Sequence, residues 1–271
     1  MKILLLGAGG MLGHALCNAL AEYDLVPADL PDYDLTKFED LQAKINDIKP
    51  DFVINAAAFT DVDGCEASEE ICDLVNGQAV GNLAQACKKI GCILVHYSTD
   101  YVFNDENSQG YLENDQINPL NAYGKSKALG EELILKSGCD FYLIRTAWLY
   151  GANGKNFVDT ILDLATKQEE IKVVNDQVGN PTYALDLAQS TKKILVDKPS
   201  FGIYHQTNAG SCSWYEFALK IKELTGFKAA ILPVTSAEFI RPAKRPKFSI
   251  LLNTKLPLLR PWENSLKDYL K

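Results

Sequence analysis

A chain of 271 residues, 47% hydrophobic and 23% charged, can bury a sizeable core in one large domain or two unequal ones, and its composition is neither disordered nor fibrous. Its formal net charge of -8 disfavours a general nucleic-acid or anionic-membrane binder, leaving room only for a local basic site that holds one small anion. No apolar run approaches the ~18–20 residues needed to cross a bilayer, so no membrane-embedded protein is expected.

Lys2 to Leu6 has the pattern of a short buried strand, followed at once by Gly7-Ala8-Gly9-Gly10-Met11-Leu12-Gly13. Leu12, Leu16, Ala19 and Leu20 then mark one face of a helix. A second strand runs from Leu25 to Ala28 and ends at Asp29; Phe38, Leu41, Ile45 and Ile48 mark a helix that Pro50 closes. Phe52 to Asn55 reads as a strand, Glu69 to Ile90 as a long helix, and Ile93 to Tyr97 as a strand. Tyr123 to Lys136 is helical and Phe141 to Arg145 a fifth strand. Alternation of this kind with short connections predicts right-handed crossovers and a parallel sheet. Beyond about residue 150 the rhythm loosens: helices are predicted over Phe157 to Lys167, Tyr183 to Val196, Trp214 to Thr225 and Glu263 to Leu270, with short strands at Ile171 to Val174 and Ile203 to Tyr204. Five prolines between Pro233 and Pro261 predict loop. The division is a nucleotide-binding domain over 1–150 and a smaller lobe over 151–271, placed above the carboxyl edge of the sheet, with the chain free to cross back between them.

Seven cysteines, none spaced as CxxC, and three histidines give no metal or dithiol signature, so the thiols read as reduced and mostly buried. The opening Lys2-Ile3 to Leu6 and Ala19-Leu20-Ala21 imitate a short export signal, but Gly7, Gly9, Gly10, Gly13 and His14 interrupt its apolar core. A cytoplasmic protein is expected.

Three groups of residues carry chemistry. Glycines between a first strand and a helix let backbone N–H groups approach a pyrophosphate at the helix N-terminus. Here the spacing is Gly7-x-x-Gly10-x-x-Gly13, and Asp29 ends the second strand where a carboxylate can bind the adenosine ribose, which leans toward NADH over NADPH. Tyr123 and Lys127 lie at i and i+4 on one helical face, so an ammonium is expected to lower the phenol pKa toward neutral. Ser98-Thr99-Asp100-Tyr101-Val102-Phe103 follows the fourth strand at the ligand-binding edge, where Thr99 can set a hydroxyl beside the same substrate oxygen.

Together these groups resemble the extended short-chain dehydrogenase/reductases, and within them the dTDP-4-dehydrorhamnose reductases. The resemblance runs through Asn55-Ala56-Ala57-Ala58-Phe59-Thr60-Asp61-Val62-Asp63, Tyr97 to Phe103 and Pro119 to Gly124. It continues over Arg145 to Gly151, Asn175 to Thr182 and Arg245-Pro246-Lys247-Phe248-Ser249. It implies an α/β protein with a Rossmann-like doubly wound parallel sheet and a smaller C-terminal α/β substrate-binding lobe. It also implies NADH- or NADPH-dependent reduction of a sugar-nucleotide C4 ketone, with Tyr123 as proton donor, Lys127 on the nicotinamide ribose and Thr99 orienting the carbonyl. Gly7, Gly10, Met11, Leu12, Gly13, Asp29, Asp34, Leu35, Ala57, Ala58, Phe59, Thr60 and Tyr97 would line the cofactor, and Asp100, Trp148 and Arg245 would meet the substrate. For Trp148 the alternative is a core tryptophan; for Arg241, Lys244, Arg245 and Lys247 it is a solvated basic loop.

Two positions depart from the family pattern. Phe248 stands where a polar residue is usual, and Ala15 where some members carry a glutamate that helps bind a dimer-bridging magnesium, so no metal-bridged dimer is expected. A reductase of another nucleotide-linked ketosugar, or a non-catalytic subunit resembling the regulatory beta subunit of methionine adenosyltransferase, are the other readings.

Overall fold

The computed structural model describes residues 1–271. Its main sheet is built from β1 (Lys2–Leu6), β2 (Asp24–Ala28), β3 (Phe52–Asn55), β4 (Ile93–Thr99), β5 (Phe141–Thr146) and β10 (Gly202–His205). These six lie in the order β10-β5-β4-β3-β1-β2 and every pair is parallel. A parallel strand is buried on both faces, which is why β1 and β3 read as near-continuous apolar runs. One face is covered by α1 (Met11–Ala19) and α8 (Ala184–Asp197), the other chiefly by α2 (Phe38–Ile48) and α5 (Ala79–Ile90). The sheet is the doubly wound parallel one expected.

The chain leaves β1 for β2 on one side and returns past β1 to β3 on the other, so the connections diverge between the carboxyl ends of β1 and β3. In open α/β sheets that divergence opens the crevice where ligands bind. A Cβ on Gly7 would lie 2.5 Å from the Ala57 nitrogen, so the two strand ends touch there and only glycine fits.

Between β3 and β4, α3 (Val62–Ala67) and α4 (Glu69–Cys72) form a short helical corner, and a π-helical turn (Asp73–Gln78) joins α4 to α5. The long helix expected over Glu69 to Ile90 therefore exists with one wide turn in it. In that turn Asn76 donates to the Phe59 carbonyl and accepts from the Phe59 N–H, pinning the loop after β3. The corner also corrects the expectation that all cysteines are reduced. Ser68 turns the chain between the two helices, bringing Cys65 and Cys72 to a Cα separation of 5.7 Å, and they are joined as a disulfide. Cys17, Cys87, Cys92, Cys139 and Cys212 are free.

A 3₁₀ turn (Asp100–Val102) follows β4, and α6 (Ala122–Ser137) begins at Asn121, whose side chain accepts from the Gly124 N–H at 2.7 Å. Beyond β5 the second lobe holds β6 (Leu149–Tyr150), α7 (Phe157–Lys167), β7 (Glu170–Val174), β8 (Val178–Gly179) and β9 (Thr182–Tyr183). After α8 and β10 have returned to the main sheet come β11 (Cys212–Ser213), α9 (Trp214–Thr225), β12 (Ala230–Val234) and α10 (Trp262–Tyr269). A core of its own joins these elements around Tyr150, Ile161, Phe217 and Trp262. β12 lies where loop was expected. It pairs with β7 alone, so Pro233, which lacks an N–H, costs no second ladder. No helix is long and apolar enough to cross a membrane.

Candidate active site

The glycine loop fits a dinucleotide pyrophosphate on its own geometry. A Cβ on Gly13 would come within 2.1 Å of the Gly7 carbonyl oxygen, so α1 packs directly on the turn that precedes it. Gly10, at the helix N-cap, faces open space apart from that same carbonyl at 3.4 Å. α1 has no side-chain cap and no acidic residue in its first turn, which leaves its leading N–H groups free for an anion. Met11 and Leu12 contribute backbone at this end. The Leu12 side chain is buried in the core, while Met11 lies against Gly151 and Gly154 of the second lobe.

At the end of β2, Asp29 accepts from the Gly9 N–H at 2.5 Å and from the Leu30 N–H at 2.8 Å, so its carboxylate braces the glycine loop. Asp34 accepts from both the backbone and the hydroxyl of Thr36, which lowers its pKa, and Leu35 is a core residue of the neighbouring face. Ala57, Ala58 and Phe59 are half-buried and Thr60 is exposed, in the loop that follows β3. Tyr97 is buried; its hydroxyl is bonded to Thr191 of α8 at 2.7 Å, and burial raises its pKa.

Thr99 and Asp100 lie at the carboxyl end of β4, and the Thr99 hydroxyl donates to Asp100 Oδ1 at 3.0 Å. Asp100 Oδ2 is buried without a partner. Desolvation pushes the Asp100 pKa up to about 7, against the opposing hydrogen bonds from Ser249 and Thr99. Tyr123, at the start of α6, meets Tyr101 edge to face with ring centroids 6.0 Å apart. A Cβ on Gly124 would fall 2.2 Å from the Tyr101 carbonyl, so the helix start lies directly against the 3₁₀ turn. The Tyr123 pKa departs from expectation: it is pushed up to about 12, by burial first and then by the Asp100 charge, with the Thr99 hydroxyl opposing. No lysine lowers it, because Lys127 Nζ is turned toward β4 and donates to the Tyr97 carbonyl at 2.7 Å. Burial pulls the Lys127 pKa down to about 8, with Glu131 opposing.

Trp148 follows β5 at φ 45°, a left-handed conformation costly for a bulky side chain and kept only where the surroundings impose it. Its ring lies over Gly179, where a Cβ would come within 2.6 Å of the indole, and it packs against the apolar cluster of Val102, Phe103, Tyr111, Ala147 and Leu251 beside the 3₁₀ turn. Phe248 bridges to Val178, on the strand that carries Gly179. The basic loop is held by carboxylates: Arg245 donates to Asp63 at 2.9 Å and to the Ala243 carbonyl, Arg241 is 3.8 Å from Asp63, and Lys244 is 3.6 Å from Asp105. Asn121 donates to the Lys244 carbonyl, which lays this loop over the start of α6.

Sequence reasoning missed several residues that shape this place. Asn55 and His96 are paired in register on β3 and β4, and Asn76, Asp63, Ser249 and Trp214 reach the site from a distance. Only Asn55 and His96 carried a local signal, as polar residues inside otherwise apolar strands.

The model of the RmlD substrate binding domain family matches residues 1–271. The spore coat polysaccharide biosynthesis protein SpsK of Bacillus subtilis is 42% identical, over 100% of this chain and 97% of its own. A dTDP-4-dehydrorhamnose reductase of Clostridium acetobutylicum superposes with a TM-score of 0.96 at 42% identity, covering 100% of this chain and 98% of its own. The corresponding reductase of Bacillus anthracis, solved in complex with NADP, gives a TM-score of 0.96 at 38% identity, covering 100% and 99%.

Proposed function

The chain belongs to the RmlD substrate binding domain family, and from that membership we propose that it reduces the C4 ketone of dTDP-4-dehydro-L-rhamnose to dTDP-L-rhamnose with NADH or NADPH. The observation that carries the reading is the position of Tyr123. Its phenol lies by the Thr99 hydroxyl at the same carboxyl edge where β1 and β3 open the crevice for a dinucleotide.

When bound, the dihydronicotinamide supplies a hydride to the sugar C4 carbon. Tyr123 holds the proton that completes the reduction: with its pKa raised to about 12, the phenol is fully protonated at neutral pH and gives its proton to the oxygen as charge develops there. The Thr99 hydroxyl turns its one hydrogen from Asp100 Oδ1 to the same oxygen and orients it. Lys127, whose Nζ donates to the Tyr97 carbonyl, would hold the nicotinamide ribose as an ammonium. Asp100 and Trp148 meet the sugar and base, and Arg245 keeps its Nη2 side for the pyrophosphate while Nη1 stays on Asp63. Residues 1–150, with α8 and β10, make the cofactor half; the remainder of 151–271 makes the sugar-nucleotide half. The protein acts in the cytoplasm on a small nucleotide sugar.

The test is oxidation of NADH, and separately NADPH, by the purified chain with dTDP-4-dehydro-β-L-rhamnose, beside a Tyr123→Phe variant. Turnover to dTDP-L-rhamnose that falls ~10²–10⁴-fold in the variant, with cofactor affinity kept, is the expected result. Cofactor binding without turnover on this substrate refutes the assignment.

A further inference from the structure

Lys127 sits in a sealed place. It is 2% exposed, and besides the Tyr97 carbonyl its Nζ has one close polar neighbour, His96 Nε2 at 3.3 Å. On its own helix, Tyr123 and Glu131 lie one turn to either side, and Glu131 is paired with Arg145 of β5. β4 adds His96 and Tyr97, and the 3₁₀ turn adds Asp100. Elsewhere around α6 the carboxylates are engaged: Glu66 accepts from the Ala122 N–H, Asp63 holds Arg245, and Asp73 neighbours Glu69 and Lys125.

The direction of the hydrogen bonds leading to Lys127 is determined one step at a time. The Ala57 N–H donates to Asn55 Oδ1 at 3.1 Å, and since a backbone N–H can only donate, that fixes which end of the amide is oxygen. Asn55 Nδ2 then donates to His96 Nδ1 at 3.1 Å, so Nδ1 offers its lone pair. Burial, then the Lys127 charge, hold the His96 pKa well below its ordinary value, so the ring is neutral and carries one proton. The Asn55 donor therefore calls for that proton on Nε2, which faces Lys127 Nζ.

We propose that His96 is a positioning residue for Lys127, presenting Nε2–H to Nζ so that the amine is favoured over the ammonium, with its tautomer imposed by Ala57 through Asn55. The ammonium can only donate, so it meets the Nε2–H donor to donor; the neutral amine accepts from Nε2 and donates to the Tyr97 carbonyl. As pH rises the lysine proton passes to solvent and the contact becomes a hydrogen bond. Ala57 stands in the loop that walls the dinucleotide crevice, so the placement of that loop and the proton affinity of the lysine are linked through two side chains. The catalytic meaning of this arrangement rests on the role given to Lys127 above; the tautomer does not.

Two measurements test it. The full chain labelled with ¹⁵N-histidine contains three histidines, and the ring couplings of His96 report which nitrogen is protonated. The Nε2–H form, unchanged from acid to base across neutrality, is expected, and an Nδ1–H form overturns the proposal. Next, His96→Gln places an amide oxygen that can accept from the ammonium. The basic limb of the kcat/KM pH profile is expected to move upward by about half a pH unit or more, and a limb that stays where it is overturns the proposal. A variant that does not fold leaves the wild-type tautomer to decide. A wild-type chain that turns over no ketosugar refutes the reductase reading while the tautomer result stands on its own.

Discussion

Trp148 lies face to face with Trp214, their ring centroids 3.5 Å apart and their planes 6° from parallel. Trp214 opens α9 in the second lobe, and Phe157 of α7 tilts against it at 4.5 Å, so the indole expected to meet substrate is backed by two aromatic rings from the lobe that folds over the crevice. Gly179 clears the space on which the Trp148 ring rests.

Replacing Trp214 with leucine removes this backing without touching the groups that move the proton. An aromatic pair is worth about 0.5–1.5 kcal/mol beyond its burial, so KM for the nucleotide sugar is expected to rise about 2–10-fold while kcat changes less. Coupled indoles also give a paired circular-dichroism signal, which should vanish in the same variant. A KM that is unmoved while that signal is lost would separate Trp148 from the substrate.

Gly13 and Gly91 are required for different reasons, and alanine at each should show it. At Gly13 the added Cβ meets the Gly7 carbonyl at 2.1 Å and Ala8 backbone atoms at 2.7 Å, all of it backbone that cannot step aside. Gly91 has φ 75° and nothing within 4 Å, so only the left-handed conformation is penalised. Gly13→Ala is expected to cost about 1–3 kcal/mol or more and to weaken dinucleotide binding. Gly91→Ala should cost about 1–2 kcal/mol and leave that binding alone. Thermal unfolding and a cofactor titration on both variants check the contrast.

The buried pair of Arg145 and Glu131 holds β5 to α6, with side chains 3% and 1% exposed and a 2.6 Å contact. Arg145 also donates to the Glu113 carbonyl and lies over the Phe103 ring, 5.0 Å from its centroid. Glu131→Gln leaves a guanidinium charge without its counter-ion, at a cost of about 3–5 kcal/mol. Because the Glu131 charge supports the Lys127 ammonium, the basic limb of activity should move to lower pH, opposite to the shift expected for His96→Gln. Denaturant unfolding and the pH profile of the variant measure the two effects, and Glu131→Gln with Arg145→Met should regain part of the stability.

What could be read from the sequence was whatever lies close together in the chain. β1, β3, α7 and α9 have the bounds their apolar periodicity predicts, because each buries one continuous run against the sheet or the second core. α3 escaped notice because six residues reading VDGCEA show no apolar stripe, and the helix depends on Asp61 capping the Gly64 N–H. The disulfide of Cys65 and Cys72 follows from that unseen corner. The glycine loop and the pair Tyr123 and Lys127 were legible as local spacings. The direction of the Tyr123 pKa was not, since it depends on where Lys127 points and on the Asp100 charge, and neither is set by the i, i+4 relation. Contacts such as Asp63 with Arg245, 182 residues apart, exist only once the second lobe is folded over the first.

Asp100 gives the last prediction, and its sign follows from burial. Its carboxyl is 3% exposed, Oδ2 has no partner, and its folded pKa is about 7, above the ordinary aspartate value of about 3.9. The folded state therefore binds the proton more tightly than the unfolded chain. Its favourable contribution is fully present below about pH 3.9 and declines as pH rises, until it is gone above about pH 7. Asp100→Asn removes the charge and keeps the shape, so its unfolding temperature should exceed that of the wild type at pH 8, by an amount corresponding to about 1–3 kcal/mol, with the difference shrinking toward pH 4. The Coulombic push of Asp100 on Tyr123 disappears too, which lowers the Tyr123 pKa toward its ordinary value. Catalysis is expected to fall even as stability rises, because the residue proposed to meet the sugar has lost its charge. Unfolding scans of both proteins between pH 4 and pH 8 measure the effect; a stability difference that does not change with pH would mean that Asp100 is ionised throughout that range.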